Sequence, residues 1–284
     1  MITFDPEKCS HCGRCADLCH ESCITLTENG PKIDQAVCST CAQCVAVCPN
    51  RALAWEGAFP TKFDRSQLPT TEQLDELFRE RRSIRRFKRD KIDRALLEEI
   101  VQYGAFAPTH AFNLRAIIVD DEILISTLDQ AIVASCRWIY RLAYQLKVGE
   151  ILAGWFGYAD EMNKAKPKIV TTLHLGHAFH SMPTAFIFII CEKKVPLSEA
   201  SAQYALANMM YYAQVKGVGT CLWANGPIFI DKNRPARRQL GIKPTERIFG
   251  AMYLGYPSAH FNNKVNGKTL EIQWNGVSTT LTSN

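Results

Sequence analysis

Residues 9–19 read CSHCGRCADLC, and residues 38–49 read CSTCAQCVAVCP. Each stretch places four cysteines in the spacing C-x2-C-x2-C-x3-C. A tetrahedral metal site needs converging thiolates on a tight loop, and cysteines two residues apart supply such a pair. Zinc and disulfides are the alternatives, but zinc sites normally use separate pairs, so a third and fourth cysteine in each stretch favours iron–sulfur clusters. The eight cysteines are Cys9, Cys12, Cys15, Cys19, Cys38, Cys41, Cys44 and Cys48.

The two cysteine runs also predict which residues share a cluster. Pro49 completes the second run as in bacterial ferredoxins that carry two 4Fe–4S clusters. In that pattern the fourth cysteine of each run binds the cluster of the other run. We therefore expect one cluster on Cys9, Cys12, Cys15 and Cys48, and the other on Cys38, Cys41, Cys44 and Cys19. His20 replaces the proline of the first run, which changes the local turn but removes no ligand.

Length and composition predict a globular protein of two domains. The chain has 284 residues, of which 47% are apolar and 21% charged, in the ordinary range for globular proteins. No secretory leader follows Met1, and no apolar run is long enough to span a membrane. We expect a ferredoxin-like domain at 1–58, a linker at 59–69 and a larger α+β domain at 70–284. An iron–sulfur protein without a leader belongs in the reducing cytoplasm, in this case of an anaerobe.

Charge is distributed unevenly between these parts. Four basic and seven acidic side chains give residues 1–56 a net charge of −3, so the other residues carry +8 of the total +5. An acidic module on a basic body is not typical of a nucleic-acid binder. The basic excess is concentrated in residues 79–91, which predicts a local anionic partner.

Hydrophobic periodicity predicts the main elements of the larger domain. Residues 184–191 form an apolar run typical of a buried strand. Residues 199–216 predict a long, mostly buried helix that ends at Gly217. Residues 269–274 alternate, which predicts a half-buried strand with Leu270, Ile272 and Trp274 on one face. Further expected features are paired edges at 2–4 and 52–55, helix caps at Thr70 and Asp93, and strands at 115–120, 218–223 and 248–254.

A basic segment at residues 81–87, RRSIRRF, is the second informative motif. In an extended chain Arg81, Ser83 and Arg85 point to the same side. Guanidinium groups give bidentate, charge-assisted hydrogen bonds to phosphate, and a hydroxyl adds another donor. The segment therefore fits a phosphate site, and the alternative is a solvated basic loop.

Residues 70–275 resemble the nitroreductase family of flavoproteins. The family has an R-x-S-x-[RK] segment after its first helix, matched by Arg81, Ser83 and Arg85. Three further stretches are similar to family motifs in the same order, namely APT at 107–109, GVGTCLW at 217–223 and LGYP at 254–257. With the cysteine runs in front, the whole chain resembles the ferredoxin-fused nitroreductases. The resemblance implies a nitroreductase-like α+β sandwich after the ferredoxin-like domain.

The resemblance also implies FMN, a homodimer and a set of flavin contacts. Arg81, Ser83 and Arg85, with Arg82, would bind the phosphate end. Backbone N–H groups of residues 224–226, which are Ala224, Asn225 and Gly226, would lie near the flavin N5. Lys264, or less favourably Lys268, would add a basic contact to the phosphate.

One loop departs from the family pattern. The family continues after its APT-like loop with Asn-x-Gln-Pro-Trp, whereas Phe112 stands here at the asparagine position and Asn113 follows one place later. Recognition of the flavin ring by Asn113 is therefore an expectation that depends on the loop. The motif at 217–219 is not a dinucleotide fingerprint, because Leu222 replaces the third glycine and a strand follows instead of preceding it.

These observations predict an oxidoreductase that passes electrons from two 4Fe–4S clusters to FMN and on to a small organic acceptor. Acceptors in this class are a nitro compound, a quinone, an activated alkene or a carbon–halogen bond, and an external ferredoxin or other low-potential donor is an expected partner. Clusters carry one electron at a time and flavin delivers two, so we expect no nucleophile and no essential side-chain base. One alternative is a non-catalytic electron-transfer partner of another protein, and the other is a basic nucleic-acid-binding protein without flavin. We expect no membrane association.

Histidines and aromatic residues between 138 and 180 are left without an assigned role. His174, His177 and His180 recur every three residues, so a metal site or a proton donor is conceivable, but no acidic partner stands near them in the sequence. We favour ordinary or substrate-facing histidines. Trp155, Phe156 and Tyr158 are expected in the core.

Overall fold

The computed structural model describes residues 1–109, 113–146, 159–267, 269–275 and 277–279. Phe112, the three aromatic residues at 155, 156 and 158, and Lys268 lie outside the described residues. No helix in the described ranges is long and apolar enough to cross a membrane.

The N-terminal part consists of two small antiparallel sheets around short helices. Strand β1 (Ile2–Phe4) pairs with β4 (Leu53–Trp55), with Ile2 opposite Trp55, as the sequence predicts. Strands β2 (Ile24–Thr27) and β3 (Gly30–Ile33) form a hairpin. The helices are α1 (Arg14–Asp17) and α2 (Gln43–Val47). Their shared core contains cysteines as well as aliphatic side chains, so the cysteine runs lie inside this unit.

The larger part is built on a four-stranded antiparallel sheet in the order β5-β6-β8-β7. The strands are β5 (Arg115–Val119), β6 (Ala185–Glu192), β7 (Gly219–Leu222) and β8 (Glu246–Gly255). Seven of the eight residues of β6 are buried, which explains why this run is apolar on both faces. The predicted buried strand is confirmed.

Helices cover both faces of this sheet, and two separate hydrophobic cores result. They are α3 (Thr71–Glu80), α4 (Arg94–Tyr103), α5 (Glu122–Tyr140), α6 (Ala159–Leu175), α7 (Ser198–Val215), α8 (Gly226–Lys232) and α9 (Arg234–Gln239). Helices α4 and α7 contribute to the core on one face, and α5, α8 and α9 contribute to the core on the other. This arrangement is the predicted α+β sandwich.

Local signals in the sequence fix the helix ends. Thr70 and Gln73 form the reciprocal capping box of α3, and the Asp93 carboxylate accepts from the backbone N–H of Ala95 at the start of α4. Helix α7 is followed by Gly217 at φ +74°, a left-handed conformation that glycine adopts without steric cost. The three predicted ends are confirmed.

The prediction of a half-buried strand at 269–274 is wrong. Only Ile272–Trp274 forms a strand, β9, and it pairs with β10 (Val277–Thr279) in a two-stranded hairpin. Leu270 is 86% exposed and Trp274 is 70% exposed. A lone two-stranded hairpin cannot bury a face by itself, so within the described part of the chain the alternating pattern has no core to face.

Candidate functional site

Two cavities in the N-terminal part collect the eight predicted cluster ligands. Each cavity takes three cysteines from one run and the fourth from the other. The first is lined by Cys9, Cys12, Cys15 and Cys48. The second is lined by Cys19, Cys38, Cys41 and Cys44. The structure thus brings together the same two groups of four that the crossed pattern predicts.

The backbone of the two cysteine runs repeats the same left-handed turns. His11 and Thr40 have φ of 57° and 55°, and each stands one residue before the second cysteine of its run. Ser22 and Arg51 have φ of 51° and 54°, three residues after each fourth cysteine. Residues other than glycine seldom adopt positive φ, and such strain is concentrated at functional sites. The two cysteine loops therefore share the same backbone geometry, which fits two equivalent clusters.

A fifth thiol, Cys23, lies in the second cavity. Its side chain is buried, and its Sγ lies 3.4 Å from the Sγ of Cys19. Cys23 is not one of the eight cysteines in the two runs, but the structure places it in direct contact with a predicted cluster ligand.

The basic segment 81–87 is docked against the sheet. The N–H of Ile84 donates to the carbonyl of Thr220 at the edge strand β7, with 2.9 Å between the two atoms. Three residues on, Phe87 is buried and forms a bridge with Pro257. Gly219 permits this approach, because a Cβ there would lie 2.9 Å from Ile84 and Pro257 side-chain atoms. Docking holds the backbone of the segment in place, so it is not a free loop.

A cavity of about 410 Å³ lies beside this segment, and we call it the Arg81 cavity. Arg81, Arg82 and Lys88 line it together with the carboxylates of Glu80 and Asp90. Gln214 also lines it, and the buried Oε1 of that side chain has no hydrogen-bond partner among the described residues. An unpaired buried acceptor is costly, so this wall is suited to a ligand that carries both an anionic group and a donor.

Arg85 lies in a different cavity, of about 570 Å³, which we call the Arg85 cavity. Its other lining residues include Lys168, His177, His180 and Tyr253. Burial raises the pKa of the Tyr253 hydroxyl, so the phenol stays protonated at neutral pH. Arg81 and Arg85, predicted to point to one side, therefore reach two neighbouring cavities from one segment.

The remaining predicted flavin contacts are spread further. Ala224 lines a third cavity of about 320 Å³. Asn225 and Gly226 stand at the start of α8, where a Cβ on Gly226 would clash with the Trp223 ring. Ser83 and Asn113 are half-buried.

Lys264, the predicted extra phosphate contact, is engaged elsewhere. Its ammonium pairs with the Glu76 carboxylate and lies 3.7 Å from an oxygen of Asp75, both on α3. The structure therefore does not place Lys264 beside Arg81 and Arg82 in the lining of the Arg81 cavity.

An acidic partner for one histidine comes from a distant helix. Asp129 on α5 is 1% exposed, and its Oδ2 lies 3.0 Å from Nδ1 of His177. Its Oδ1 accepts from the N–H of Ala178 at 2.7 Å. Sequence analysis missed this pair, because the two residues are 48 positions apart. The available signal was an aspartate among the buried residues Ile125, Leu128 and Ile132 of an apolar helix face.

A family model now matches these features. The nitroreductase family model covers residues 78–256, more than half of the chain. This chain belongs to the nitroreductase family. A 4Fe–4S dicluster model matches residues 8–58 of the same nitroreductase. The predicted fusion is therefore confirmed.

Known proteins resemble each part of this nitroreductase separately. An uncharacterised ferredoxin from Methanocaldococcus jannaschii is 36% identical over 70 residues, which cover 23% of this chain and 91% of the ferredoxin. A nitroreductase with bound FMN from Bacteroides fragilis matches with a TM-score of 0.51 and 19% identity, over 72% of this chain and 100% of that one. A nitroreductase with bound FMN from Desulfitobacterium hafniense matches with a TM-score of 0.53 and 14% identity, over the same shares of the two chains. At these identities the structural matches establish the fold.

Family and dicluster domain together define the enzyme class. The nitroreductase is an FMN-dependent oxidoreductase, as predicted, and its N-terminal domain carries two 4Fe–4S clusters.

Proposed function

We propose that this nitroreductase passes electrons one at a time from its two clusters to FMN, and that the reduced flavin transfers two electrons to a small organic acceptor. One observation carries the proposal: two cysteine cavities and a docked basic segment beside small-molecule-sized cavities occur in one chain. Clusters carry single electrons and flavin delivers pairs, so the combination converts one-electron transfer into two-electron transfer. The acceptors we consider are nitro compounds, quinones and activated alkenes.

Residues of the Arg81 cavity fit the phosphate end of FMN. The guanidinium groups of Arg81 and Arg82 and the ammonium of Lys88 supply charge-assisted donors for a phosphate. The unpartnered Oε1 of Gln214 needs a donor, and a ribityl hydroxyl is one. Ser83 lies between Arg81 and Arg85 in the segment and adds a hydroxyl. The two matched structures with bound FMN support this cofactor.

The protein itself has three tasks in this scheme. It holds the phosphate through the basic segment, and it places the side chain of Arg85 in the wall of the Arg85 cavity. It also excludes water through the aromatic cluster of Phe179, Phe186 and Trp223. FMN supplies hydride chemistry at N5 when bound. Ala224, Asn225 and Gly226 are the proposed backbone donors toward that atom, and Asn113 is the proposed contact to the ring edge.

We propose a homodimer as the working unit. Leu270, Ile272 and Trp274 are exposed in a single chain, although their alternation is that of a strand with one apolar face. Exposed apolar side chains in such a pattern mark an interaction surface. We further propose domain limits of 1–58, 59–69 and 70–284. The family models, which match residues 8–58 and 78–256, support a boundary between these two ranges. We propose a location in the reducing cytoplasm, because two iron–sulfur clusters favour such an environment.

Cavity size favours catalysis over simple electron relay to another protein. The Arg81 and Arg85 cavities, about 410 and 570 Å³, are within the usual range for small-molecule sites. An electron-transfer partner would need only an exposed cofactor edge.

The test is the composition of anaerobically purified protein. We expect about eight irons and eight acid-labile sulfides per chain, together with flavin absorbance bands that are released on denaturation. The reduced protein should then be reoxidised by a nitroaromatic compound. Stoichiometric zinc, or protein without flavin, would rule the proposal out.

A further inference from the structure

We propose that the Arg85 cavity is the acceptor site, that it selects an anionic acceptor, and that His177 donates the proton that the two-electron reduction requires. The inference rests on the proposed function and goes beyond it in naming the substrate class and an acid. It also departs from the expectation that no acid–base side chain is needed.

The first argument is the charge of the cavity wall. Its titratable lining residues, among those described, are Arg85, Lys168, His177, His180 and Tyr253. The arginine, lysine and histidine side chains are basic, and the tyrosine phenol is neutral at pH 7. The cavity therefore presents positive charge to a bound molecule, and its volume of about 570 Å³ suits a small organic anion.

The second argument is the geometry of His177. Its side chain is 56% exposed and lines the cavity, while its Nδ1 lies 3.0 Å from Oδ2 of the buried Asp129. Since a carboxylate only accepts, Nδ1 carries the proton and Nε2 is the atom left to exchange one in the cavity. This arrangement of a buried aspartate behind a histidine orients the imidazole as in acid–base catalysis.

The third argument is the position of Arg85. It belongs to the segment that we propose for FMN, and it lines the same cavity as His177. An acceptor held in this cavity would therefore lie next to the flavin site. Arg85 and Lys168 would bind its anionic group, and His177 would face the group being reduced.

The proton balance of the reaction can be written for a nitro group. Its reduction to a nitroso group takes two electrons and two protons, breaks one N–O bond and releases water. The two electrons and one proton come from the reduced FMN. The second proton comes from the imidazolium of His177, which returns to imidazole and is reprotonated from water.

Asp129 also has a structural role, which decides the choice of variants. It accepts from the N–H of Ala178 and lies 3.3 Å from Nε2 of Gln130, so Asp129→Asn would disturb the loop that carries His177. Asp129 is thus a positioning residue. The primary variant is His177→Gln, and the matched control is His174→Gln, an exposed α6 residue that is not among the described lining residues.

The kinetic experiment uses the full holoenzyme with 4-nitrobenzoate and its neutral methyl ester. His177→Gln should lower kcat on both compounds by about 100-fold or more with little change in KM, as expected for loss of a general acid. His174→Gln should match the wild type. Lys168→Met should raise KM several-fold for 4-nitrobenzoate and leave the ester unaffected. Added imidazole should restore part of the activity of His177→Gly.

Two readouts do not depend on turnover. Titration calorimetry of the oxidised holoenzyme should give tighter binding of 4-nitrobenzoate than of the ester, and Lys168→Met should reduce the difference. Nitrogen-15 NMR of the imidazole, assigned by comparison with His177→Gln, should show the Nδ1–H tautomer in the wild type and its loss in Asp129→Asn. A tautomer unchanged in Asp129→Asn would remove the positioning role.

The results separate this inference from the proposed function. If wild-type protein reduces neither nitro compound, the proposed function fails. If it reduces both but His177→Gln retains the wild-type kcat, His177 is not the acid. Equal affinity for the acid and the ester would overturn the assignment of an anionic acceptor.

Discussion

Arg81 and Arg85 stand four residues apart in one docked segment, yet their side chains line different cavities. This geometry gives them different expected roles, one at the phosphate and one beside the acceptor. Only the first role bears directly on flavin affinity.

The first prediction concerns flavin retention. Removing a charge-assisted partner typically costs about 1.5–3 kcal/mol, or roughly 10- to 150-fold in affinity. Arg81→Ala and Arg82→Ala, which each remove a guanidinium group from the Arg81 cavity, should therefore be purified with little FMN and a full complement of iron. Arg89→Ala, an exposed arginine outside the segment, is the control and should keep its flavin. Flavin and iron are counted per chain, and full flavin occupancy in both variants would return the segment to a solvated basic loop.

A second prediction at this scale concerns Cys23. A cluster-bound Cys19 thiolate can only accept, so the Cys23 thiol 3.4 Å away donates to it. A hydrogen bond to a ligand sulfur stabilises the more negative, reduced cluster. Cys23→Ala should therefore lower the midpoint potential of one cluster and leave the other unchanged. Cys136→Ala, which removes a buried thiol from α5, should change neither.

The measurement is a redox titration of the protein followed by electron paramagnetic resonance. Loss of about four irons in Cys23→Ala would show that Cys23 is itself a ligand. Two unshifted potentials would show that the contact has no influence on the cluster.

At the scale of elements, the glycine-rich stretch before β7 is explained by packing. Gly217 ends α7 in a left-handed conformation, and Gly219 lets Ile84 approach the edge of the sheet. Both glycines also line the Arg81 cavity. The motif that resembles the family sequence thus serves to dock the basic segment on the sheet.

The third prediction tests this packing. A Cβ at position 219 would lie 2.9 Å from Cγ1 and Cγ2 of Ile84. Gly219→Ala should lower the free energy of unfolding by about 1–3 kcal/mol, as overpacking usually does, and should weaken FMN binding by displacing the segment. Urea denaturation gives the first value. Ile84→Ala removes both of these atoms, so Gly219→Ala should cost less stability in the Ile84→Ala background than in the wild type. A Gly219→Ala protein as stable as the wild type would contradict the close contact.

At the scale of the whole molecule, an acidic two-cluster domain is tethered to a basic flavoenzyme domain. The proposed linker of residues 59–69 can span at most about 40 Å when fully extended, at ~3.3–3.6 Å per residue. The clusters are therefore kept near the flavin domain, which favours electron transfer within the chain.

The fourth prediction is that clusters and flavin act in series. A protein that starts at Phe63 keeps the four-stranded sheet and the basic segment, so it should fold and bind FMN. With a reduced ferredoxin as donor, stopped-flow bleaching of its flavin should be much slower than in the full chain. A modest potential difference suffices, since about 59 mV gives a tenfold equilibrium for one electron. Equal rates in both proteins would mean that the clusters serve another partner.

Sequence alone determined the features that depend on neighbouring residues. Cysteine spacing predicted the two groups of cluster ligands that the cavities bring together, because three ligands of each cluster lie on one tight loop and the fourth follows the crossed pattern of two-cluster ferredoxins. Capping at Thr70 and Asp93 involves residues two or three positions apart, and the buried strand at 185–192 is apolar throughout. Each signal is local, so it can be recognised without knowing the packing.

Tertiary structure decided everything that joins distant residues. Asp129 meets His177 because α5 packs beside the turn after α6, and Lys264 meets Glu76 across 188 positions of sequence. Arg81 and Arg85 line different cavities, and Ile84 between them is hydrogen-bonded to the sheet edge. Trp274 is exposed because no layer formed by the described residues covers it. No spacing in the sequence encodes these contacts, since they depend on how helices pack across the sheet.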